Sequence, residues 1–246
     1  MVIRFSSTEL NNIKVSYVGK HNFSAEYIKA CDVVWNELVE SGKSVGKEFW
    51  NGELYTLDNL YLDETNIPVL EFGSFEYKDR LYKKNLGTTD FIANYGLNHL
   101  HSHCGACCYL ITTDHKIVIG RKTTSVGLEK GILGAVGGNL NKDELEIYTF
   151  NDIFKSAIKE VEEEVNLIVN PTKFKFRQLC HFNNYYLFEF IYLLDISSQK
   201  VDSIFKPGEF IELLTFTPNE LINLDTPMIL DLKYSKQFLG DILNTL

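Results

Sequence analysis

The sequence has no hydrophobic run long enough to cross a membrane, and its first residues lack the apolar segment of a secretory signal. Only five of its 246 residues are cysteines, an odd number at no spacing typical of a disulfide framework. These absences disfavour a membrane-spanning protein and a disulfide-stabilised secreted protein. We therefore expect a reduced, cytoplasmic chain.

Positive charge is also scarce, because 24 lysines and arginines stand against 33 aspartates and glutamates, for a net charge of −9. Proteins that bind nucleic acids or acidic membranes need basic surfaces, so we expect neither partner. An acidic protein can still bind phosphate compounds where metal ions and local basic residues supply positive charge. We expect a small-molecule ligand and a monomer or homodimer.

What is present is the composition of a globular protein, with 45% hydrophobic and 23% charged residues. Residues 1–100 combine strand patterns, including short strands in residues 2–19, with one amphipathic helix and an irregular connector over residues 77–100 that can hold a short helix. This predicts a small α+β domain and connector. Residues 101–246 read as a strand hairpin, a further strand, an acidic helix, more strands and terminal helices. The sequence therefore predicts an α+β fold with a mixed sheet between helices.

The acidic helix is the most informative segment. Its apolar residues between 153 and 165 form one stripe, and Glu160, Glu163 and Glu164 share another face, because residues three and four apart are neighbours on a helix. Such carboxylates repel each other by about 0.2–0.5 kcal/mol per pair, and Mg²⁺ removes that cost because it takes oxygen ligands. A run of acidic residues is more often a solvated surface, so the residues upstream decide between the two interpretations.

Upstream, the glycine pair Gly137-Gly138 closes a predicted strand, and five residues separate Gly138 from Glu144. Together with Lys159 to Leu167, this pattern resembles the signature of the Nudix hydrolases. Three departures are visible: fourteen residues instead of seven follow Glu144, Lys159 replaces an arginine, and Asn166 replaces a glycine. Asparagine also tolerates the left-handed conformation at a helix end.

The departures are similar to those of the UDP-glucose/UDP-galactose pyrophosphatase branch of that family, as are the short segments 50–52, 77–79 and 86–88. The resemblance implies a Nudix-type α/β/α sandwich in residues 101–246, with Mg²⁺ or alternatively Mn²⁺ as cofactor. It implies hydrolysis of UDP-sugars to UMP and sugar 1-phosphate. Two alternatives are a pyrophosphatase for another nucleoside diphosphate derivative, such as ADP-ribose, and a catalytically silent binding module.

The resemblance also implies roles for individual acids. Glu160, Glu163 and Glu164 are expected to bind the metal, and Glu164 or Glu209 to assist proton removal from water. Glu209 lies in a predicted loop where the family often supplies an acid, as base or further metal ligand, and it is favoured over Glu212 for that role. Glu144 matches the box, but the long insertion after it leaves a surface position equally open.

Four further residues are expected at the substrate. Gly138 lacks a Cβ and so lets the backbone approach the metal or phosphate, although a simple strand-ending turn explains it too. Arg121 and Lys122 end a strand and suit phosphate binding, or are an exposed strand end. Glu189, in an otherwise apolar strand, faces either the site or an exposed sheet face.

The segment from His101 to Cys108 superficially resembles a zinc site. Cys107 and Cys108 fall in one strand and point to opposite faces, which disfavours convergent ligands. We expect buried free cysteines there, with His101 and His103 near the site entrance. Tyr77, Phe91 and Tyr95 are candidates for stacking on a uracil base, though most aromatic side chains belong to the core.

Overall fold

The computed structural model describes residues 1–43, 49–123, 131–205 and 208–245. Its strands are β1 (Val2–Ile3), β2 (Lys14–Lys20), β3 (Glu53–Leu62), β4 (Pro68–Glu76), β5 (His103–Ile111), β6 (Ile117–Lys122), β7 (Leu133–Gly134), β8 (Val136–Asn139), β9 (Phe174–Phe182), β10 (Tyr185–Leu193) and β11 (Phe210–Phe216). Its α-helices are α1 (Ser7–Asn12), α2 (Ala25–Lys43), α3 (Tyr77–Leu86), α4 (Thr88–Tyr95), α5 (Phe150–Val165), α6 (Pro218–Asn223) and α7 (Leu230–Ser235). Short 3-10 helices cover Leu97–His99, Pro171–Lys173, Ser198–Ser203 and Lys236–Thr245.

The strands of the described residues join into one mixed sheet. Its main path runs β1-β9-β10-β5-β3-β4-β2, with β8 and β6 also pairing with β5, and with β7 and β11 pairing with β6. The β5–β10 and β2–β4 pairs are parallel, and the other pairs are antiparallel. Strand β5 is therefore the central strand, and the candidate site is built around its first half.

Helices cover both faces of this sheet. On one face, α5 buries its apolar stripe, including Ile153, Ala157 and Val161, against β5, β9 and β10. On the other face, Leu221 of α6, Leu232 of α7 and Leu239 of the last 3-10 helix bury against the same strands. Each large apolar side chain buried in this way contributes about 1.5–3 kcal/mol. The predicted α+β class, with a mixed sheet between helices, is confirmed.

The N-terminal part adds strands and its own helical cluster. Strands β2, β4 and β3 extend the sheet, and β3 meets β5 at the single pair Thr56↔His103. Helices α2, α3 and α4 pack around the buried Tyr27, Cys31 and Phe91. The predicted boundary between residues 100 and 101 stays a prediction.

Two segments differ from the sequence-based expectation. Residues 77–100 hold two successive helices rather than an irregular connector with one short helix, and Gly87 and Gly96, at φ values of 83° and 85°, end α3 and α4. In residues 2–19, where short strands were expected, the structure has β1 and β2 but places α1 between them. The Glu9 backbone N–H donates to Ser6 Oγ and the Ser6 N–H donates to Glu9 Oε2, which is a capping box.

The cysteines follow the expectation. Cys31, Cys104, Cys107, Cys108 and Cys180 are all buried and free. Cys108 packs in the core on the α5 side of the sheet, and Cys107 packs in the core on the opposite side. Within the part of the chain that the structure describes, no helix is both long and apolar enough to span a membrane.

Candidate active site

Helix α5 provides a rigid platform for acidic side chains. At its start, the Thr149 N–H donates to Asp152 Oδ2 over 2.9 Å, which closes a capping box. At its end, Asn166 takes the left-handed conformation with a φ of 53°, as its place in the motif predicts. With both ends capped and the apolar stripe buried, the direction of the acidic face is fixed.

The glycine pair in β8 allows this face to lie directly against the sheet. Gly137 has a φ of 148°, and a Cβ there would lie 2.2 Å from the Ala106 carbonyl oxygen in β5. A Cβ on Gly138 would lie 2.5 Å from Glu160 Oε1. The Gly137 N–H donates to Glu164 Oε2 over 2.7 Å. Both glycines are therefore required by close contacts, with β5 at Gly137 and with α5 at Gly138.

Three carboxylates and one lysine converge beside these glycines. Glu164 is 4% exposed, and its Oε1 accepts no hydrogen bond from the described residues but lies 3.8 Å from Lys122 Nζ. Lys122 Nζ also donates to Glu209, whose carbonyl oxygen accepts from the Thr123 N–H over 2.7 Å. Lys122, at the end of β6, and Glu209, just before β11, therefore lie together beside the acidic face of α5.

The pKa values of the platform reflect excess negative charge. Burial, with the neighbouring charges of Glu209 and Glu163, raises the pKa of Glu160 to about 7. Burial and the charge of Glu209 also raise the pKa of Glu164 well above its usual range, although Lys122 opposes the effect. One lysine does not neutralise three acids in this space.

The residues fit a hard divalent cation. The donor set is made of carboxylate oxygens, which Mg²⁺ and Mn²⁺ prefer. One of these oxygens, Glu164 Oε1, is buried without a hydrogen bond. A cation at this position would satisfy that oxygen and remove the repulsion that raises both pKa values.

Glu163 and Glu144 lie at the margin of the platform. The Glu163 side chain is 60% exposed, and Lys159 Nζ lies 3.7 Å from it. Lys159 also donates to Glu144, which lowers the pKa of that carboxyl. Glu144 and Glu160 line a neighbouring depression of about 350 Å³. The insertion therefore leaves Glu144 close to α5, tied to it through the lysine that replaces the arginine of the motif.

The platform forms one end of a cleft of about 520 Å³. The platform side is lined by Lys122, Gly137, Gly138, Asn139, Glu160 and Glu209. The remaining lining comes from α3, the start of α4, the segment before β5, the β9–β10 turn and Ile229, and comprises Tyr77, Arg80, Leu81, Lys83, Lys84, Thr88, Leu100, His101, His103, Asn183, Asn184, Tyr185 and Ile229. The cleft thus has an acidic end and a basic wall.

Four predicted site residues therefore meet at the cleft, with Glu164 directly behind them: Lys122, Gly138, Glu160 and Glu209. His101, His103 and Tyr77 also line it. The basic residues of α3 are the part that sequence reasoning missed. The polar composition of residues 77–86 suggested a connector, and only the Glu76 and Asp79 capping pattern signalled a helix.

The structure does not bring Glu189 or Arg121 to the cleft. Glu189 is fully buried in β10, where Arg177 donates to it over 2.6 Å and Gln178 over 2.7 Å. Burial raises its pKa despite the charge of Arg177. Arg121 is partly exposed and pairs with Glu212 of β11 and the Gly131 carbonyl oxygen.

Two of the aromatic candidates also lie elsewhere. Phe91 is fully buried, with its ring centroid 6.0 Å from that of Tyr27. Tyr95 packs on the same ring at 5.1 Å. Both belong to the N-terminal core, which leaves Tyr77 as the stacking candidate in the cleft.

No protein-family model and no curated protein match the sequence. Among solved structures, DR0079 from Deinococcus radiodurans is similar with a TM-score of 0.44 at 18% identity, over 57% of this chain and 84% of that one. The NUDIX domain of Shewanella oneidensis NrtR, complexed with ADP ribose, gives a TM-score of 0.43 at 12% identity, over 64% and 99%. A NUDIX hydrolase from Alicyclobacillus acidocaldarius gives a TM-score of 0.43 at 9% identity, over 58% of this chain and 95% of that one. These TM-scores are below 0.5, so the functional inference rests on the cleft itself.

Proposed function

We propose that the chain is a divalent-metal-dependent pyrophosphatase of the Nudix type. Its proposed substrates are UDP-sugars such as UDP-glucose and UDP-galactose, which it hydrolyses to UMP and sugar 1-phosphate. The main support is the convergence of Glu160, Glu164 and Glu209 on one end of the cleft, with a buried oxygen of Glu164 left without a hydrogen bond. The substrate class itself comes from the resemblance of the motif.

In this proposal Glu160 and Glu164 hold the cation, and Glu163 extends the ligand set toward solvent. When bound, Mg²⁺ neutralises phosphate charge and lowers the pKa of bound water. The hydrogen bond from the Gly137 N–H holds Oε2 of Glu164 and leaves its Oε1 3.8 Å from Lys122 Nζ. Gly138 leaves space for Glu160 that any side chain would fill.

Glu209 is the proposed proton acceptor for the attacking water. It lines the cleft and faces α5 from another part of the chain, so it approaches the reacting phosphate from a second side. Lys122 holds Glu209 in place and is positioned to contact a phosphate oxygen.

A hydrolysis assay tests the proposal. The protein is incubated with Mg²⁺ and UDP-glucose, UDP-galactose, ADP-ribose or a dinucleoside polyphosphate, and UMP, AMP and sugar phosphate are measured. We expect UMP and sugar 1-phosphate from the UDP-sugars, and loss of that activity in Glu164→Gln. The matched control is Glu162→Gln, the same change on an exposed position of α5, which should keep full activity.

Other outcomes separate the alternatives. Hydrolysis of ADP-ribose or a dinucleoside polyphosphate without that of UDP-sugars would refute the uridine assignment and keep the reaction type. Binding of nucleotides without turnover of any compound would refute the enzyme and favour a silent binding module.

A further inference from the structure

The basic wall of the cleft contains two cations that contact uncharged groups. They are Arg80 and Lys83, which lie three residues apart on α3 and therefore share one helix face. Neither has a carboxylate within ion-pair distance among the described residues. Lys78 on the same helix differs, because it pairs with Asp32 at 2.8 Å and Glu76 at 3.0 Å.

Lys83 directly contacts uncharged groups, and the nearest acid on its helix, Asp79, acts on it only through its charge. Its Nζ donates to the His101 carbonyl oxygen over 3.0 Å and lies 3.9 Å from the centroid of the Phe75 ring. Burial lowers its pKa to about 7. Its charged form therefore carries an electrostatic cost in the cleft, which an anion bound beside Nζ would offset.

The backbone at His101, which accepts the Lys83 hydrogen bond, is held in place by contacts of the His101 side chain. The His101 ring stacks on the His21 ring with centroids 3.4 Å apart, and both histidines contact Asp58. This arrangement fixes the backbone at His101, and with it the carbonyl oxygen that receives the Lys83 hydrogen bond. The position of Lys83 is thus built into the fold.

Arg80 is oriented by a neutral histidine. Its Nε donates to His103 Nε2 over 3.0 Å, and its guanidinium carbon lies 5.5 Å from the centroid of the Tyr77 ring. Burial lowers the pKa of His103 well below its usual range, so the imidazole is neutral and accepts this bond. Because guanidinium carries five N–H groups, four remain for a planar anionic partner.

His103, the hydrogen-bond partner of Arg80, lies away from the point at which the carboxylate platform meets β5. Gly138, which contacts Glu160, is opposite Ala106 in the β5–β8 register, and His103 lies three residues earlier in β5. Three strand residues span about 10 Å. This separation exceeds that of the two phosphorus atoms of one diphosphate, so an anion at Arg80 is a separate group from a diphosphate held at Glu160.

We infer that Arg80 and Lys83 form an anion subsite, which binds a phosphate or carboxylate group that the substrate carries beyond its scissile diphosphate. The claim that this anion belongs to a diphosphate substrate rests on the proposed function. The claim that Arg80 and Lys83 bind an anion does not. Within the UDP-sugar class, the subsite favours a sugar bearing a carboxylate or phosphate over a neutral sugar.

The subsite is tested first by binding without hydrolysis. Without divalent metal, the acidic platform repels anions, so titration calorimetry with inorganic phosphate and with glucuronate reports on the basic wall. Arg80→Gln and Lys83→Met should each weaken binding of the recognised anion by at least about tenfold, as expected for a charge-assisted hydrogen bond. Arg80→Lys, which keeps the charge, should weaken it less.

The matched control is Lys78→Gln, which removes the same charge from the same helix outside the cleft lining and should leave binding unchanged. Circular dichroism and thermal unfolding identify any variant that does not fold. If one of Arg80→Gln and Lys83→Met fails to fold, the anion binding of the other tests the subsite. Binding of phosphate alone or of glucuronate alone identifies the chemical source of the anion. If wild type binds neither anion, or if both folded variants bind as wild type does, the subsite is refuted.

A second measurement compares UDP-glucuronate with UDP-glucose. We expect a lower KM for the acidic sugar in wild type and a loss of that difference in Arg80→Gln. Anion binding that depends on Arg80, without any hydrolysis, would refute the proposed function and keep the subsite. Hydrolysis with equal KM values for both sugars and no anion binding would refute the subsite and keep the function.

Discussion

Replacing Glu160 by glutamine should stabilise the metal-free protein at neutral and alkaline pH. Glu160 is largely buried beside two other acids, and its pKa is raised from the ordinary value of 4.5 to about 7. The folded state therefore binds more protons than the unfolded state between these two pH values. Because of this difference, the free energy of unfolding falls as the pH rises through that window.

The size of the effect follows from the two pKa values. A pKa of about 7 in place of 4.5 corresponds to a loss of at most about 3 kcal/mol above pH 7. For a chain of this size, that loss corresponds to about 6–12 °C in Tm. The glutamine side chain has no charge, so Glu160→Gln should match wild type near pH 4.5 and exceed it by most of this amount at pH 8.

The assay is thermal unfolding of both proteins from pH 4.5 to pH 8, in a chelator and then with Mg²⁺. Wild type should regain stability with Mg²⁺ because the cation binds only the folded site, and Glu160→Gln should gain much less. Glu162→Gln serves as the control and should follow wild type. A difference between wild type and Glu160→Gln that does not change with pH would refute the electrostatic reasoning. An equal gain from Mg²⁺ in both would refute the role of Glu160 as a ligand.

Three further substitutions test other parts of the structure. Gly138→Ala should displace Glu160, since the new Cβ would lie 2.5 Å from its carboxylate. Calorimetry should show Mg²⁺ binding weakened by about tenfold or more, whereas the free energy of unfolding should change by less than about 1 kcal/mol. Arg177→Met should lower the urea unfolding free energy by about 3–5 kcal/mol by leaving Glu189 unpaired, and adding Glu189→Leu should restore most of it. Asn166→Val should cost about 1–2 kcal/mol in the same assay because of the left-handed backbone there, whereas Asn166→Gly should be tolerated.

The acidic platform could be predicted because its signals are local. Apolar periodicity placed a helix over residues 153–165, and the structure has it over Phe150–Val165. The helix begins three residues earlier than predicted, after the capping box of Thr149 and Asp152. Apolar periodicity alone does not reveal such a cap. The glycine pair was informative for the same reason, since a missing Cβ next to an acidic helix indicates a close approach.

Glu189 shows where local signals fail. A single acid in an apolar strand needs a polar partner or water. From the sequence, Glu189 is therefore predicted to face either the site or an exposed sheet face. The actual partners are Arg177 and Gln178 in the neighbouring strand, with Asp241 of the C-terminal 3-10 helix on the far side of Arg177. The register of β9 on β10 and the docking of the C-terminal segment decide this, and neither is encoded in the strand itself.

The basic wall could not be predicted, because it depends on two chain segments that meet only in the folded sheet. Arg80 and Lys83 belong to α3 in the N-terminal part, and His103 opens the central strand β5. The β3–β5 pair and the contacts of α3 bring them to the cleft that the α5 acids close from the other end. The acidic motif therefore accounts for the acidic end alone, whereas the basic wall belongs to a helix outside that motif. A substrate assignment from the acidic helix alone would omit the basic side chains that line the same cleft.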